Sequence, residues 1–358
     1  MKPLAFILLL LIPVSVFAQD VEPWYSFYNA DSTLSGFKDA NGMVKIEPKF
    51  RSLLLSGIFR NIIAVTEQQG DTYAHYYLTK SGRKVGRDSV HYFDNTEDYE
   101  QEGFIRFRDR KSDKVGLFNR HGDIVVPAIY DGMTSVHNGM IIALFGANKL
   151  VSTDGEHHFW KDGRQKLIDT SNKVLIEDFK YDNMLNLNSL KISSRPDPSS
   201  ARKNFKGTNG QFYSFIEYES EFKKWLEKDL LDNFSKEKLS RATFGTIANP
   251  HGREGWVLES KETYIEQHYE RIQRKLLQLK NPEVKYSVTL DDLNPYIYES
   301  QEFQEYLDVH GQDRMPQYPV LMIVIDYDIM TPQHRQDFFE FLRTKEGYKL
   351  ISATMRKL

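Results

Sequence analysis

Apolar and polar positions along the first half of the chain alternate in short runs broken by small turn residues. Residues 36–50 (GFKDANGMVKIEPKF), 76–93 (YYLTKSGRKVGRDSVHYF), 114–131 (KVGLFNRHGDIVVPAIYD) and 165–182 (QKLIDTSNKVLIEDFKYD) share one layout. Each has a short apolar or aromatic run, a polar turn, a second apolar run and an aromatic soon after. Alternation at period two predicts strands, and the pairs Asn41-Gly42, Ser81-Gly82, His121-Gly122 and Ser171-Asn172 predict hairpin turns. The two-residue type I′ form is expected, with φ > 0 at both central positions. Gly42, Gly82 and Gly122 are forty positions apart; Asn172 follows after fifty, which places an insertion around 154–163. Pro48 and Pro127 are expected to end ladder pairing. Further strand-like runs lie at 61–66, 103–108 and 139–145, so each unit is about three strands and buries its apolar face only by stacking on a neighbour.

Beyond residue 210 the period changes. Phe222, Trp225, Leu226 and Leu230 recur at helical spacing, as do Ile265, His268, Tyr269, Ile272, Leu276 and Leu279, with Asn281-Pro282 as a stop. The order that follows is strand 284–290, helix 301–309, strand 320–327, helix 332–343, strand 348–355. Thr331-Pro332 supplies the cap of the second helix and Gly347 its end. Residues 193–210 (SSRPDPSSARKNFKGTNG) are nearly devoid of apolar residues and read as a linker. The fold class is therefore multidomain, β followed by α/β. A signal peptide (1–18) precedes an antiparallel β-hairpin repeat array (19–192), the linker (193–210) and an α+β domain with mixed sheet and helices (211–358).

The 114–131 segment resembles the WG (KWG) repeat family through Gly116, Gly122, Ile124, Val125, Val126, Pro127, Tyr130 and Asp131. The first unit matches at Gly36, Phe37, Gly42, Val44, Ile46, Pro48 and Phe50. The second keeps Gly82 without the proline, and the fourth has Asn172 for Gly and Glu177 for Pro. The resemblance covers about 35–190 and implies a β-repeat array. It carries no common catalytic residues. Phe37, Tyr77, Phe118 and Tyr130 occupy equivalent places and are expected to form the core between repeats; a ladder of exposed rings is the alternative.

The ends and composition set the compartment. Lys2, the apolar run Leu4–Ile12, Pro13, and small residues at Val16 and Ala18 read as a cleavable signal peptide cut after Ala18. No later run is long enough to span a bilayer. The chain has no cysteine, which excludes disulfides, thiolate chemistry and a lipid-anchored N-terminus. With 47 Lys+Arg against 50 Asp+Glu, no basic field points to nucleic acid. A periplasmic or secreted location and a protein or glycan partner in the envelope are expected, with no cofactor.

Candidate chemistry is sparse. Asp326 and Asp328 leave the apolar 320–325 run two residues apart, so they share one face of an extended chain. With Asp291 and Asp292 they offer oxygen ligands for a divalent cation, the basis of an alternative reading as an envelope hydrolase. His251 with Arg253, Glu254 and Trp256 marks a turn-rich loop of possible binding residues. His157-His158 beside Glu156 reads as an exposed loop, and His268 as a helix-surface histidine. No GxSxG, P-loop, HExxH or dinucleotide fingerprint occurs. The expected role is binding rather than catalysis.

Overall fold

The computed structural model describes residues 22–51, 56–93, 96–153, 155, 158–250, 255–307, 317–327 and 335–355. Residues 1–18, expected to be a signal peptide, and Glu156, His157, His251, Arg253, Glu254 and Asp328 lie outside them.

Five hairpin turns of one design punctuate the first 217 residues. In each, the N–H of the last loop residue donates to the carbonyl three positions back: Gly42 to Asp39, Gly82 to Thr79, Gly122 to Asn119, Asn172 to Asp169 and Gly210 to Gly207. The same first residues donate their own N–H to the carbonyl four positions on, closing three-residue loops. Only the last loop residue has positive φ, at 83°, 82°, 78°, 68° and 79° in turn order. These are type I turns followed by a glycine-type bulge, not the two-residue type I′ turns expected. A side chain fixes the first four. Asp39 Oδ1 accepts from the N–H groups of Asn41 and Met43 at 3.0 and 2.9 Å. Asn119 and Asp169 do the same in their turns, and Thr79 Oγ1 accepts from Arg83 N–H.

The fifth turn corrects the linker. Within 193–210, Arg202–Lys206 form a strand that pairs through this turn with Phe212–Glu217, and Leu185–Ser193 completes the sheet. Sparse apolar residues misled because one edge strand of a small sheet needs few. This sheet is also wound differently. In the third unit the order follows the chain, Phe104–Asp109, Lys114–Asn119, Ile124–Tyr130; in the fifth the last strand is central.

The prolines do not end pairing. Gly36 faces a stretch where Ser35 pairs with Phe50 and Phe37 with Ile46; Gly116 likewise lies between the pairs Val115–Tyr130 and Leu117–Val126. Pro48 and Pro127 sit inside these bulges, where no ladder donor is needed, and pairing resumes after them. The bulged strand comes so close that a Cβ on Gly36 would lie 2.3 Å from the Ile46 carbonyl oxygen. On Gly116 it would lie 2.6 Å from the Phe107 ring and 2.7 Å from the Val126 oxygen.

Successive sheets stack, and strands between them serve two cores. Ile63 and Val65 join Phe37, Phe50 and Phe59, whereas Ile62 and Ala64 join Tyr77, Ile105, Phe107 and Phe118. Ile141 and Ala143 pack on Val115, Leu117, Val126 and Tyr130, whereas Met140 and Ile142 pack on Phe179, Tyr213 and Phe215. Phe37, Tyr77, Phe118 and Tyr130 are all buried, so the rings are core and not a recognition ladder.

The C-terminal sheet has six strands in the order Trp256–Ser260, Thr243–Pro250, Gly347–Thr354, Arg335–Thr344, Val320–Tyr327, Tyr286–Asp291. All pairs are antiparallel except Thr243–Pro250 with Gly347–Thr354. Helices α1 (Tyr218–Trp225), α2 (Lys236–Arg241) and α3 (Lys261–Leu277) cover one face. Tyr298, Phe303, Tyr306 and Tyr318 cover part of the other. The helix expected at 332–343 is instead the strand Arg335–Thr344, because its apolar residues also fit period two. Phe339 and Phe341 face the helices while Leu342 faces away, and partner strands on both sides decide the matter. Gly347, with φ 108°, closes a hairpin and not a helix. The helix expected at 301–309 is a 3-10 segment, Gln301–Tyr306, in its described part.

Gly116→Ala is expected to cost about 1–3 kcal/mol by overpacking, although Gly116 has no positive φ. Urea denaturation of the full chain reads this; an unchanged midpoint would contradict the close approach.

Candidate functional site

The residues singled out by sequence fall into three groups. Gly36, Gly42, Pro48, Gly82, Gly116, Gly122 and Pro127 build turns and bulges as described. Tyr130 and Asp131 tie neighbouring units together. The Tyr130 hydroxyl donates to Asn172 Oδ1 at 2.8 Å, reaching the next turn. The buried Asp131 carboxylate pairs with Lys114 and accepts from Ala147 N–H at 2.9 Å. These residues are occupied in holding the array.

Of the proposed carboxylates, Asp326 and Asp291 do not converge. Asp326 accepts a hydrogen bond from Gln336 Nε2 at 2.9 Å. Asp291 stands opposite Val320, at the far end of the strand pair from Asp326, which neighbours the Tyr286–Ile325 pair. At about 3.3 Å per residue these ends are on the order of 20 Å apart. Among the described residues no three His, Asp or Glu side chains gather as metal ligands would. Trp256 opens the edge strand of the sheet and is exposed, with Val257 and Leu258 beside it. His268 is half-buried against the Tyr264 ring, 4.6 Å between centroids.

Two polar clusters in this domain escaped the sequence. Beneath α3, Lys275 Nζ pairs with Asp337 Oδ2 at 2.7 Å with both side chains nearly inaccessible. The Tyr327 hydroxyl links them, donating to Asp337 at 3.0 Å while accepting from Lys275 and from Gln278 Nε2. Burial pushes the Lys275 ammonium down, and its bonds to Asp337 and Tyr327 more than reverse that. On the opposite face Thr289, Met322, Glu340 and Ser352 form one row across four strands. Among the described residues the buried Thr289 hydroxyl oxygen has no hydrogen-bond partner, and Ser352 lies directly opposite Glu340. Burial, with the charge of Asp291, pushes the Glu340 carboxyl up to about 7. Register alone places this row, and only the strand at 335–344, which sequence read as a helix, brings Glu340 into it.

In the array, the insertion after the third repeat is a β-hairpin and not an irregular loop. Asn148–Val151 pairs with His158–Lys161, Leu150 facing Phe159. It forms a two-stranded sheet of its own. Leu150, Val151 and Phe159 are 37, 57 and 51% exposed, so this arm contributes them to no core. Its root is held by Lys149, which pairs with Asp113 at 2.8 Å.

Residues 116–147 match the family described as WG containing repeat. The chain carries a WG repeat. The WG segment runs from the close-approach glycine through the turn, the bulge and the first two strands of the next sheet, which is what builds the third core. No curated protein and no solved structure matches the chain. No helix among the described residues is long and apolar enough to cross a membrane.

Two tests follow from the clusters. Lys275→Met alone is expected to cost about 3–5 kcal/mol by leaving Asp337 charged and buried, and Lys275→Met with Asp337→Leu to recover most of it; chemical denaturation of both variants decides. Glu340 in an unfolded chain returns to its ordinary 4.5, so the native state binds this proton more tightly. Its contribution is present below pH 4.5 and lost as pH rises through about 7. His91, which burial holds down to about 4, acts in the opposite sense over its own range. The comparison is therefore wild type against Glu340→Gln. The Tm of the wild type, relative to the variant, should fall between pH 5 and pH 8, and parallel curves would refute the shift.

Proposed function

We propose that this chain is an exported binding protein whose β-repeat array holds a protein or glycan partner in the cell envelope. The observation that carries the reading is the arm at 148–161. A two-stranded hairpin is marginally stable alone, and this one sets Leu150, Val151 and Phe159 into solvent instead of a core. Exposed apolar side chains on a separate hairpin, Leu150 and Phe159 on one face and Val151 on the other, mark a contact surface, where a few such residues carry most of the binding energy. The repeat residues themselves are used up in turns, bulges and cores, so contacts fall to what the array displays on its rim. The apolar Leu4–Ile12 run supports the envelope as the place of action.

The test uses the full chain lacking residues 1–18 against a solubilised envelope extract and a glycan array. Leu150→Ser with Phe159→Ser should leave Tm essentially unchanged, since exposed substitutions stay within about 0.5 kcal/mol, yet reduce retention of the identified partner at least about tenfold. Equal retention by the double variant would remove the arm from the interface. A wild-type chain that holds no defined partner in either format would end the proposal.

A further inference from the structure

The turns of successive repeats line one rim of the array, and the gap between two of them is empty where its predecessor is filled. Between the second and third turns, Arg83 reaches across, donating to the His121 carbonyl at 2.9 Å and pairing with Asp123 at 2.5 Å. In this pair the residue after the turn glycine makes the bridge. In the third turn that residue is Asp123, already engaged backwards by Arg83, so no side chain from this position reaches the fourth turn. A shallow depression, largely open to solvent, lies there, lined by Phe104, Arg120, His121, Val125 and Thr170 among others.

Arg120 is the informative residue. It is half-buried, and among the described residues it makes no ion pair and no hydrogen bond. Its guanidinium lies against Gly103: a Cβ there would come 2.8 Å from Arg120 Nη2. The carboxylates of Glu102, next in the chain to Gly103, and of the two flanking turns have partners of their own. Glu102 accepts from the N–H groups of Asn138 and Gly139 at 2.7 and 2.8 Å. Asp169 holds its own turn, and Asp123 holds Arg83. A guanidinium presents several fixed donors that suit an oxyanion, and leaving it unpaired in a cleft favours an incoming acid group. Phe104, half-buried against the third core, and Thr170 also line the depression.

We propose that this cleft binds an acidic sugar, with the carboxylate on Arg120 and the ring of the sugar against Phe104. The site rests on the reading of the array as a binding surface and names the chemistry of one of its contacts. It lies within and beside the matched repeat, on the rim of the array.

The experiment is calorimetric titration of the full chain lacking residues 1–18, with trigalacturonate as probe. Methyl-esterified trigalacturonate and inorganic phosphate are titrated separately. The acid form should bind, more weakly as salt rises, and the esterified form should not. Arg120→Gln should weaken binding at least about tenfold with unchanged Tm, and Thr170→Val should weaken it to a smaller extent. The proposal is overturned by absence of trigalacturonate binding, by equal binding to Arg120→Gln, or by phosphate binding as tightly as the sugar, which would make the ring contact idle. An envelope partner retained by a chain that ignores trigalacturonate would sink this inference alone and leave the binding role standing. Failure of both assays would remove both.

Discussion

The architecture depends on one constraint: strands of the array that lie between two sheets have neighbours on both faces, so alternate side chains belong to different cores. Ile62 and Ile63 are adjacent in the chain and buried in separate clusters, as are Ile141 and Ile142, and Leu167 and Ile168. No sheet of the stack is therefore a closed unit. The matched 116–147 segment makes sense in these terms, because it spans the later part of one sheet and the first two strands of the next. What recurs in sequence is an interface. Polar links follow the same logic: Glu100 caps Asn61 and Ile62 at the start of one such strand, while Glu102 caps Asn138 and Gly139 at the start of another.

The turns were legible because their chemistry is local. Glycine or asparagine must take positive φ at one place, and Asp, Asn or Thr three positions earlier can hold the loop with its own side chain. That second half of the signal distinguishes a three-residue loop from the two-residue form, and Asp39, Asn119 and Asp169 carried it in plain view. The fifth turn was missed because Gly207 stands where the others have a side-chain acceptor, in a segment whose composition suggested a tether. The period-two and helical runs gave α1, α3 and three of the six C-terminal strands, including Val320–Tyr327, but not Thr243–Pro250, Trp256–Ser260 or α2. They failed at 335–344, where QDFFEFLRT satisfies both periods and long-range pairing chooses.

Candidate chemistry was much less legible, for a physical reason. Asp326 and Asp291 look like partners in sequence, but an antiparallel register sends them to opposite ends of a strand pair. Glu340, Ser352 and Thr289 look unrelated, yet register sets them in one row. Lys275 and Asp337 are separated by 62 positions and meet only through the packing of α3 on the sheet. Arg120 could have been noticed only by comparing turns position by position, and its significance lies in what the corresponding gap between earlier turns contains.

The strand Phe212–Glu217 has a further consequence. Its last residue is also the N-cap of α1, with Glu217 accepting from Ser220 N–H at 2.9 Å, so the chain passes from array to helix with no intervening loop. Tyr218 N–H meanwhile donates to the Met184 carbonyl. The seam is braced on two sides, like a bracket rather than a cord. Two ligands gripped at opposite ends of this molecule would be kept at a set spacing and bearing, and a load applied to one would be felt at the other.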